Sequence, residues 1–560
     1  MYLAGFETVV WEAAPKTVMT SYNLLNGTYT NEDPFLLRRV LRGEWGCRGA
    51  VVTDWVASHD HAAAVACGSD FEMPAPGTTS VRELVEAVRA GEVAEPDVDA
   101  RVGEALDLVF STTRVTAAAP RSFDEQGHHE VARDVARRSA VVLKNEGGLL
   151  PLAPGTRVAV VGDFAQTPRY QGAGSSLVNA TRVDTLVGAV KASGLEFVGF
   201  EPGFPRSGEP DPALVDAACE LASTADVVIC NLGLDETRET EGAERADMAM
   251  APAQVALMER LAAANPRIVV VLSAGSCVEM EWEPCAQAVL YECLGGQAGA
   301  GAMVDLVEGR ANPSGKLAET WPLRLDDTPC AGRFPAETRL SLYREGPYVG
   351  YRYYQTAGVP VRYPFGFGLS YTEFSYSDLE VLVEDGDRPR AFVGLTVSNV
   401  GGVAGAEVVQ VYVAKPGAAV WRPAQELRSF TKVLLEPGES RRVLLDLDDR
   451  AFACWNVATD GWEVEGAPTR SAWVRRARTS VSRRPWTCGA PGRPTPTRGA
   501  TSRSTGRPGC RTCPTRPSPP SSGAPCPRRR SPSGPACASA TSTTGGAPCS
   551  CWCGRCCAGS

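Results

Sequence analysis

The sequence predicts an α/β multidomain chain that closes on a small antiparallel β-sandwich. Short apolar runs alternate with helical segments across residues 1–322, and the apolar period changes to two across 376–466. A third observation bounds the folded part: after Gly466 the composition changes abruptly. The chain has 560 residues, enough for roughly two to four domains.

From Ala467 to Ser560 there is no Asp, Glu, Lys, Leu, Ile or Phe, but there are 16 Arg. That leaves 40 basic against 65 acidic residues in 1–466, a net charge of −25. So acidic a body favours solubility and argues against nucleic acid or an anionic membrane as partner. No run of eighteen apolar residues occurs, so no membrane-spanning helix is expected. The start at Met1-Tyr2-Leu3 has no basic or apolar leader, which predicts a cytoplasmic protein. Nine Cys are scattered through the body, as buried thiols are in a reducing compartment, and ten crowd the tail.

The low-complexity tail, 467–560, is expected to be disordered. Back-translated with GC-rich codons and shifted by one nucleotide, 467–477 reads as a strand and turn. The tail is therefore interpreted as a frame slip near Gly466 and given no function. Cys510–Cys513 and Cys553–Cys556 have zinc-like spacing but lack His or acidic partners, so no metal is expected.

Residues 1–113 alternate helix and strand. Gly5 to Ala13 is amphipathic, and Thr17 to Tyr22 is a short strand. Asp33-Pro34 opens a helix with Leu37, Leu41 and Trp45 on one face. Ala50 to Trp55 is a buried strand, Asp70 to Met73 a candidate one, and helices follow at 79–91 and 96–112. About three strand–helix units are present, whereas a closed parallel barrel needs eight. A linker at 114–125 leads to a doubly wound domain, 126–322, of about five strands: 158–161, 196–199, 227–230, 268–272 and 288–291. An irregular connection at 323–375 precedes the sandwich at 376–466.

Asp54 ends an apolar strand, where a carboxylate is placed to react in a parallel α/β fold; a helix cap fits the position equally well. The loop Asp235-Glu236-Thr237-Arg238-Glu239-Thr240-Glu241-Gly242 leaves the carboxyl end of another strand, where open sheets bind ligands, and a solvated charged loop is the plain alternative. Gly242 beside Glu241 would let backbone approach a ligand. Gln171-Gly172-Ala173-Gly174-Ser175-Ser176 lacks the Lys and spacing of a phosphate loop. His59, His61, His128 and His129 form no metal pattern, and no cofactor is expected.

Several segments resemble glycoside hydrolase family 3, the β-glucosidase and β-xylosidase group. They are Met19-Thr20-Ser21-Tyr22-Asn23-Leu24-Leu25-Asn26-Gly27, Leu41 through Trp55, Gly68 through Pro74, Ser139 through Leu152, Asn312 through Leu317 and Pro364 through Thr372. The resemblance runs in order from about residue 2 to 466. It implies the C-terminal part of a (β/α)8-type barrel over 1–113, an α/β sandwich domain and a fibronectin-III-like sandwich. It further implies a retaining glycosidase with Asp54 as nucleophile and Glu241 as general acid and base, with Glu239 as rival acid. Tyr22, Trp55 and Met19 would line the sugar site, although Trp55 equally fits a core position. A hydrophobic wall and a neighbouring carboxylate are expected to raise the Glu241 pKa.

Glu244 stands where the family commonly has Asp. The resemblance also places most of the barrel, with its main sugar-holding residues, upstream of Met1, so weak or absent activity is expected of this chain. The leading expectation is a β-glucosidase without cofactor, acting on an oligosaccharide or β-glycoside, with a homodimer as one arrangement. A β-xylosidase or other β-glycosidase is the near alternative, and an N-acetylglucosaminidase fits less well. A non-catalytic remnant and a nucleic-acid-binding protein acting through the Arg-rich tail are the readings from other classes.

Overall fold

A computed structural model describes residues 1–118, 122–206, 209–336, 338–384, 388–415, 418 and 420–465, all within one compact unit, Met1–Arg493. The proposed frame slip and the Cys pairs of the tail lie outside the described residues.

The first region contains helix α1 (Ala4–Ala13), strand β1 (Thr17–Met19), the hairpin strands β2 (Leu24–Leu25) and β3 (Thr28–Tyr29), a π-wound helix (Phe35–Glu44), strand β4 (Ala50–Val52), and helices α2 (His61–Cys67), α3 (Thr79–Ala90) and α4 (Glu95–Ala118). Strands β1 and β4 pair in parallel, with Met19 opposite Val52. Asp33 Oδ1 accepts the Phe35 and Leu36 N–H groups, so the expected opening of that helix holds. Its turns are wider than expected: Trp45 N–H reaches Val40 O, five residues back. Asp70 to Met73 forms only a single parallel bridge, Val52 to Phe71, because the buried Asp70 side chain is engaged elsewhere. Its Oδ2 accepts Val51 N–H at 2.6 Å, and its carboxylate pairs with Arg42 and Arg101. Glu104 completes this cluster; burial, then Asp70, pushes its carboxyl up to about 7.

Helix α4 runs through the first part of the predicted linker to Ala118, its Thr112, Thr113 and Thr116 hydroxyls bonding carbonyls three or four residues back. Helix α5 (Glu125–Ser139) opens the second region, capped by Asp124.

The second region has strands β5 (Val141–Asn145), β6 (Arg157–Val161), β7 (Glu196–Glu201), β8 (Val227–Gly233), β9 (Ile268–Ser273) and β10 (Ala288–Cys293), separated by helices α6 (Leu186–Lys191), α7 (Pro212–Ser223), α8 (Pro252–Ala264) and, after β10, α9 (Gly299–Val307). The sheet order is β5-β10-β9-β8-β6-β7, parallel except for β5. The expected five strands are present and β5 is a sixth, an antiparallel edge. Its Lys144 and Asn145 disguise it in the sequence, and Lys144 is buried against Glu283. Every residue of β8 and β9 is buried, and each such Val, Ile or Leu contributes about 1.5–3 kcal/mol.

The connection contains a strand pair, β11 (Trp321–Pro322) and β12 (Val361–Tyr363), and helix α10 (Tyr351–Ala357). The sandwich packs the sheet β13 (Phe374–Glu384), β14 (Arg390–Asn399), β17 (Ser440–Leu447) against the pair β15 (Gly405–Val413), β16 (Glu426–Leu435) around Val393, Val397, Val409, Leu435 and Leu445. A last hairpin, β18 (Ala453–Asn456) and β19 (Gly461–Val464), lies beside the first region. Arg450 pairs with Glu7 of α1 and stacks on Trp11 and Trp462.

Glu292 sits at the carboxyl end of β10, beside a small cavity lined also by Tyr170, Asn231 and Met303. It takes a hydrogen bond from the Ser273 hydroxyl, and burial pushes its carboxyl up to about 7 from 4.5. Below pH 4.5 the group is protonated in both the folded and the unfolded chain. As pH rises to 7 only the unfolded chain sheds the proton, so stability falls, by about 3 kcal/mol in all. Glu292→Gln should remove that fall. Denaturant unfolding at pH 5 and pH 8 checks it: the variant should lose less stability at the higher pH than the wild type does, what remains belonging to Glu104.

Candidate active site

Strand β4 delivers Asp54 to the carboxyl edge of the parallel pair. Its neighbour Thr53 is locked to the next segment, its N–H on Phe71 O and its hydroxyl accepting Met73 N–H at 2.8 Å. Asp54 accepts Trp55 N–H through Oδ1 at 2.7 Å. Helix α2 is capped by Asp60, which accepts Ala63 N–H, so Asp54 does not cap it. Val56, two residues on, is held at φ 67° with its N–H on Met73 O. That left-handed conformation is costly for a β-branched residue, and such strain collects at functional sites.

Tyr22 reaches the same edge. Its loop is stapled by Thr30, whose hydroxyl bonds both the N–H and the carbonyl of Ser21. The hairpin after it turns on Asn26 and Gly27, at φ 52° and 96°, the pair that a two-residue hairpin loop requires. The Tyr22 hydroxyl hydrogen-bonds Asp54, and that bond, followed by slight burial and the charges of Asp54 and Glu241, pushes its pKa up. Met19 lies across from Val52 at the end of β1 and is exposed. Trp55 is 57% exposed, which removes the core reading and leaves its indole free beside Asp54.

Glu241 arrives from the second region on the loop after β8. Thr240 bridges Ala243 across a turn whose glycine, Gly242, has φ 79°; Glu241 therefore stands at the tip. Gly242 serves the turn, and a Cβ there would meet no protein atom within 4 Å. The close approach is at Gly174, where a Cβ would stand 2.6 Å from Glu241 Cβ. The loop after β6 clasps the turn: Ala173 O accepts Glu241 N–H at 3.1 Å, and Ser175 gives both its N–H, at 2.6 Å, and its hydroxyl to Glu241 Oε2.

These two donors hold the Glu241 carboxyl below its ordinary value, against an upward push from Asp54. The expectation of a raised pKa is thus corrected. Glu241 lies open to solvent with no hydrophobic wall around it, and hydrogen bonds to the charged form outweigh the neighbouring carboxylate. The charge of Asp54 nevertheless reaches Glu241, and the charges of both reach Tyr22, so carboxylates from two regions come near one tyrosine.

Glu239 points elsewhere. Its carboxylate accepts Gly275 N–H and the Ser276 hydroxyl, and its carbonyl accepts from Arg169. Arg245 turns the same way, to the Ser276 hydroxyl and Cys277 O. Sequence reasoning missed Ser175, Gly174, Thr30 and Arg169. For the first two a signal existed, the glycines of the 171–176 segment. Among the described residues no cluster of three or more His, Cys, Asp or Glu could hold a metal, and no helix is long and apolar enough to cross a membrane.

Ser175→Ala should raise the Glu241 carboxyl pKa, because it deletes one of the two donors that favour the ionised form. Titration of 13C-labelled glutamate, assigned with Glu241→Gln, reads it; an unmoved titration would show that the clasp does not act on the carboxylate.

Three family descriptions match in order: the glycosyl hydrolase family 3 N-terminal domain over 1–108, its C-terminal domain over 140–371, and a fibronectin type III-like domain over 407–474. The chain is 42% identical over 476 residues to an exo-α-(1→6)-L-arabinopyranosidase of Bifidobacterium breve, covering 83% of this chain and 62% of that protein. It is 41% identical over 469 residues to thermostable β-glucosidase B of Acetivibrio thermocellus, with the same coverage. The chain therefore spans about 62% of the length of these curated relatives. Among solved structures, a β-glucosidase of Bifidobacterium adolescentis superposes with a TM-score of 0.79 at 42% identity, covering 82% of this chain and 68% of that one. A glucose complex of β-glucosidase 3B from Thermotoga neapolitana gives 0.72 at 30%, covering 81% and 68%. With the barrel-type, doubly wound and sandwich regions matched in this order, the chain belongs to glycosyl hydrolase family 3.

Proposed function

We propose that the chain acts as a retaining β-glycosidase, with a β-glucoside as first substrate, Asp54 as nucleophile and Glu241 as acid and base. The place of Asp54 just past the end of β4, in a chain of this family, supports this reading above any other observation, and the charge of Asp54 reaches Glu241 from the first region. Asp54 attacks the anomeric carbon as the bond to the leaving oxygen breaks, and the Glu241 proton passes to that oxygen. In the second step the Glu241 carboxylate takes a proton from water, the water oxygen bonds the anomeric carbon, and Asp54 leaves, so the configuration is retained.

The clasp by Ser175 suits the second step, which needs Glu241 ionised. The first step needs Glu241 protonated, and since both Ser175 donors lie on Oε2, Oε1 is the oxygen that carries the proton to the leaving group. The exposed Tyr22, Trp55 and Met19 supply the surface on which the sugar lies, Trp55 through the apolar face of its ring. The acidic body fits a neutral glycoside better than a polyanion.

A second reading, a catalytically impaired member, has its own observation. The parallel sheet of the first region consists of β1 and β4 with one bridge to Phe71, and α4 buries none of its residues. Two paired strands and one bridge fall short of the eight strands that close a barrel.

Aryl β-glucoside, β-xyloside and α-L-arabinopyranoside assays decide between the two. Turnover of the β-glucoside is expected, falling to background in Asp54→Asn and by about 10²–10⁴-fold in Glu241→Gln, with the β-anomer formed first by NMR. Soluble, folded wild-type chain that turns over none of the three would favour the impaired reading.

A further inference from the structure

Resting on the assignment of Glu241 as acid and base, we propose that Arg169 is its positioning residue: a buried guanidinium that ties the turn carrying Glu241 to the loop that clasps it. Arg169 follows β6, and its side chain is 2% exposed. Its Nε donates to Leu234 O at 3.3 Å, at the exit of β8. Its Nη1 donates to Gln171 O, at the root of the clasping loop. Its Nη2 donates to Glu239 O at 2.7 Å, two residues before Glu241. The far side of the same ring is closed by Glu241 N–H on Ala173 O.

The acceptors are all backbone carbonyls, so what Arg169 fixes is the path of the chain. Three diverging acceptors match the planar fork of a guanidinium and not the single point of an ammonium. Neutralising a carboxylate does not account for it. Among the described residues its one ion partner is Glu239 Oε2 at 3.9 Å, and that carboxylate is already bonded by Gly275 and Ser276. Its charge reaches Glu236 only as the weakest of several influences there, and the hydrogen bonds on the Glu241 carboxylate come from Ser175. Burying a guanidinium is costly unless its donors are used, and here they are used to join two loops. Without it, the 171–178 segment is free to leave the turn, and Ser175 no longer sets where the Glu241 carboxylate points.

The test uses the full chain as wild type, Arg169→Lys, Arg169→Met and Glu241→Gln. Hydrogen exchange should quicken about tenfold or more in peptides spanning 171–178 and 235–245 of both Arg169 variants, with β6, β9 and β10 unchanged. Should Arg169→Met exchange throughout, Arg169→Lys carries the comparison. In kinetics, both Arg169 variants should share the signature of Glu241→Gln. Their loss should be about tenfold or more larger for an alkyl β-glucoside, which needs an acid, than for 2,4-dinitrophenyl β-glucoside, which does not, and azide should accelerate the latter. Wild-type exchange in both loops, or a loss equal across leaving groups, overturns the proposal. A wild type that hydrolyses neither glycoside defeats the assignment of activity instead, and the exchange measurement still decides whether Arg169 joins the loops.

Discussion

The site depends on one pairing inside the second region: β6 lies directly beside β8, Val158 against Val227 through Val161 against Cys230. Adjacent strands stand about 4.8 Å apart, so the loops leaving their carboxyl ends begin as neighbours. One carries Ser175 and the other Glu241, and they meet without a long reach. The pairing itself is held by apolar burial on both faces of the sheet. A packing constraint with no chemistry of its own thereby sets where the Glu241 carboxylate stands.

The two carboxylates are held by different means. Asp54 hangs from a strand end locked by Thr53 and Asp70, and its partners are a backbone N–H and a phenol. Glu241 stands on a turn tip, in water, and owes its orientation to a second loop. The first is held within its own strand end and the next segment, the second across two loops of the other region.

Much of the architecture is legible in the chain. Runs such as Ile268-Val269-Val270-Val271-Leu272 announce buried parallel strands, and the alternation around Val393, Leu395 and Val397 announces a sandwich. Strand β5 escapes because Lys144 and Asn145 break its apolar pattern, and nothing local says that Glu283, far along the chain, will receive the lysine. Asp54 and Glu241 are legible by their place at strand ends and by motif. The Ser175 clasp is not, because it joins segments 66 residues apart, and the low pKa of Glu241 follows from that clasp. Asn26-Gly27 carried a hairpin signal that motif matching alone passes over.

The Arg450 contact has a consequence for how the chain is made. Its partner Glu7 lies 443 residues earlier, and Trp11 and Trp462 flank the same guanidinium. At ribosomal speed that interval takes roughly 20–90 s. Through that time helix α1, with Phe6, Val9 and Trp11 outward, stays without its last partner while everything between emerges. Vectorial synthesis thus leaves the N-terminal helix open to chaperones until the sandwich arrives to seal it.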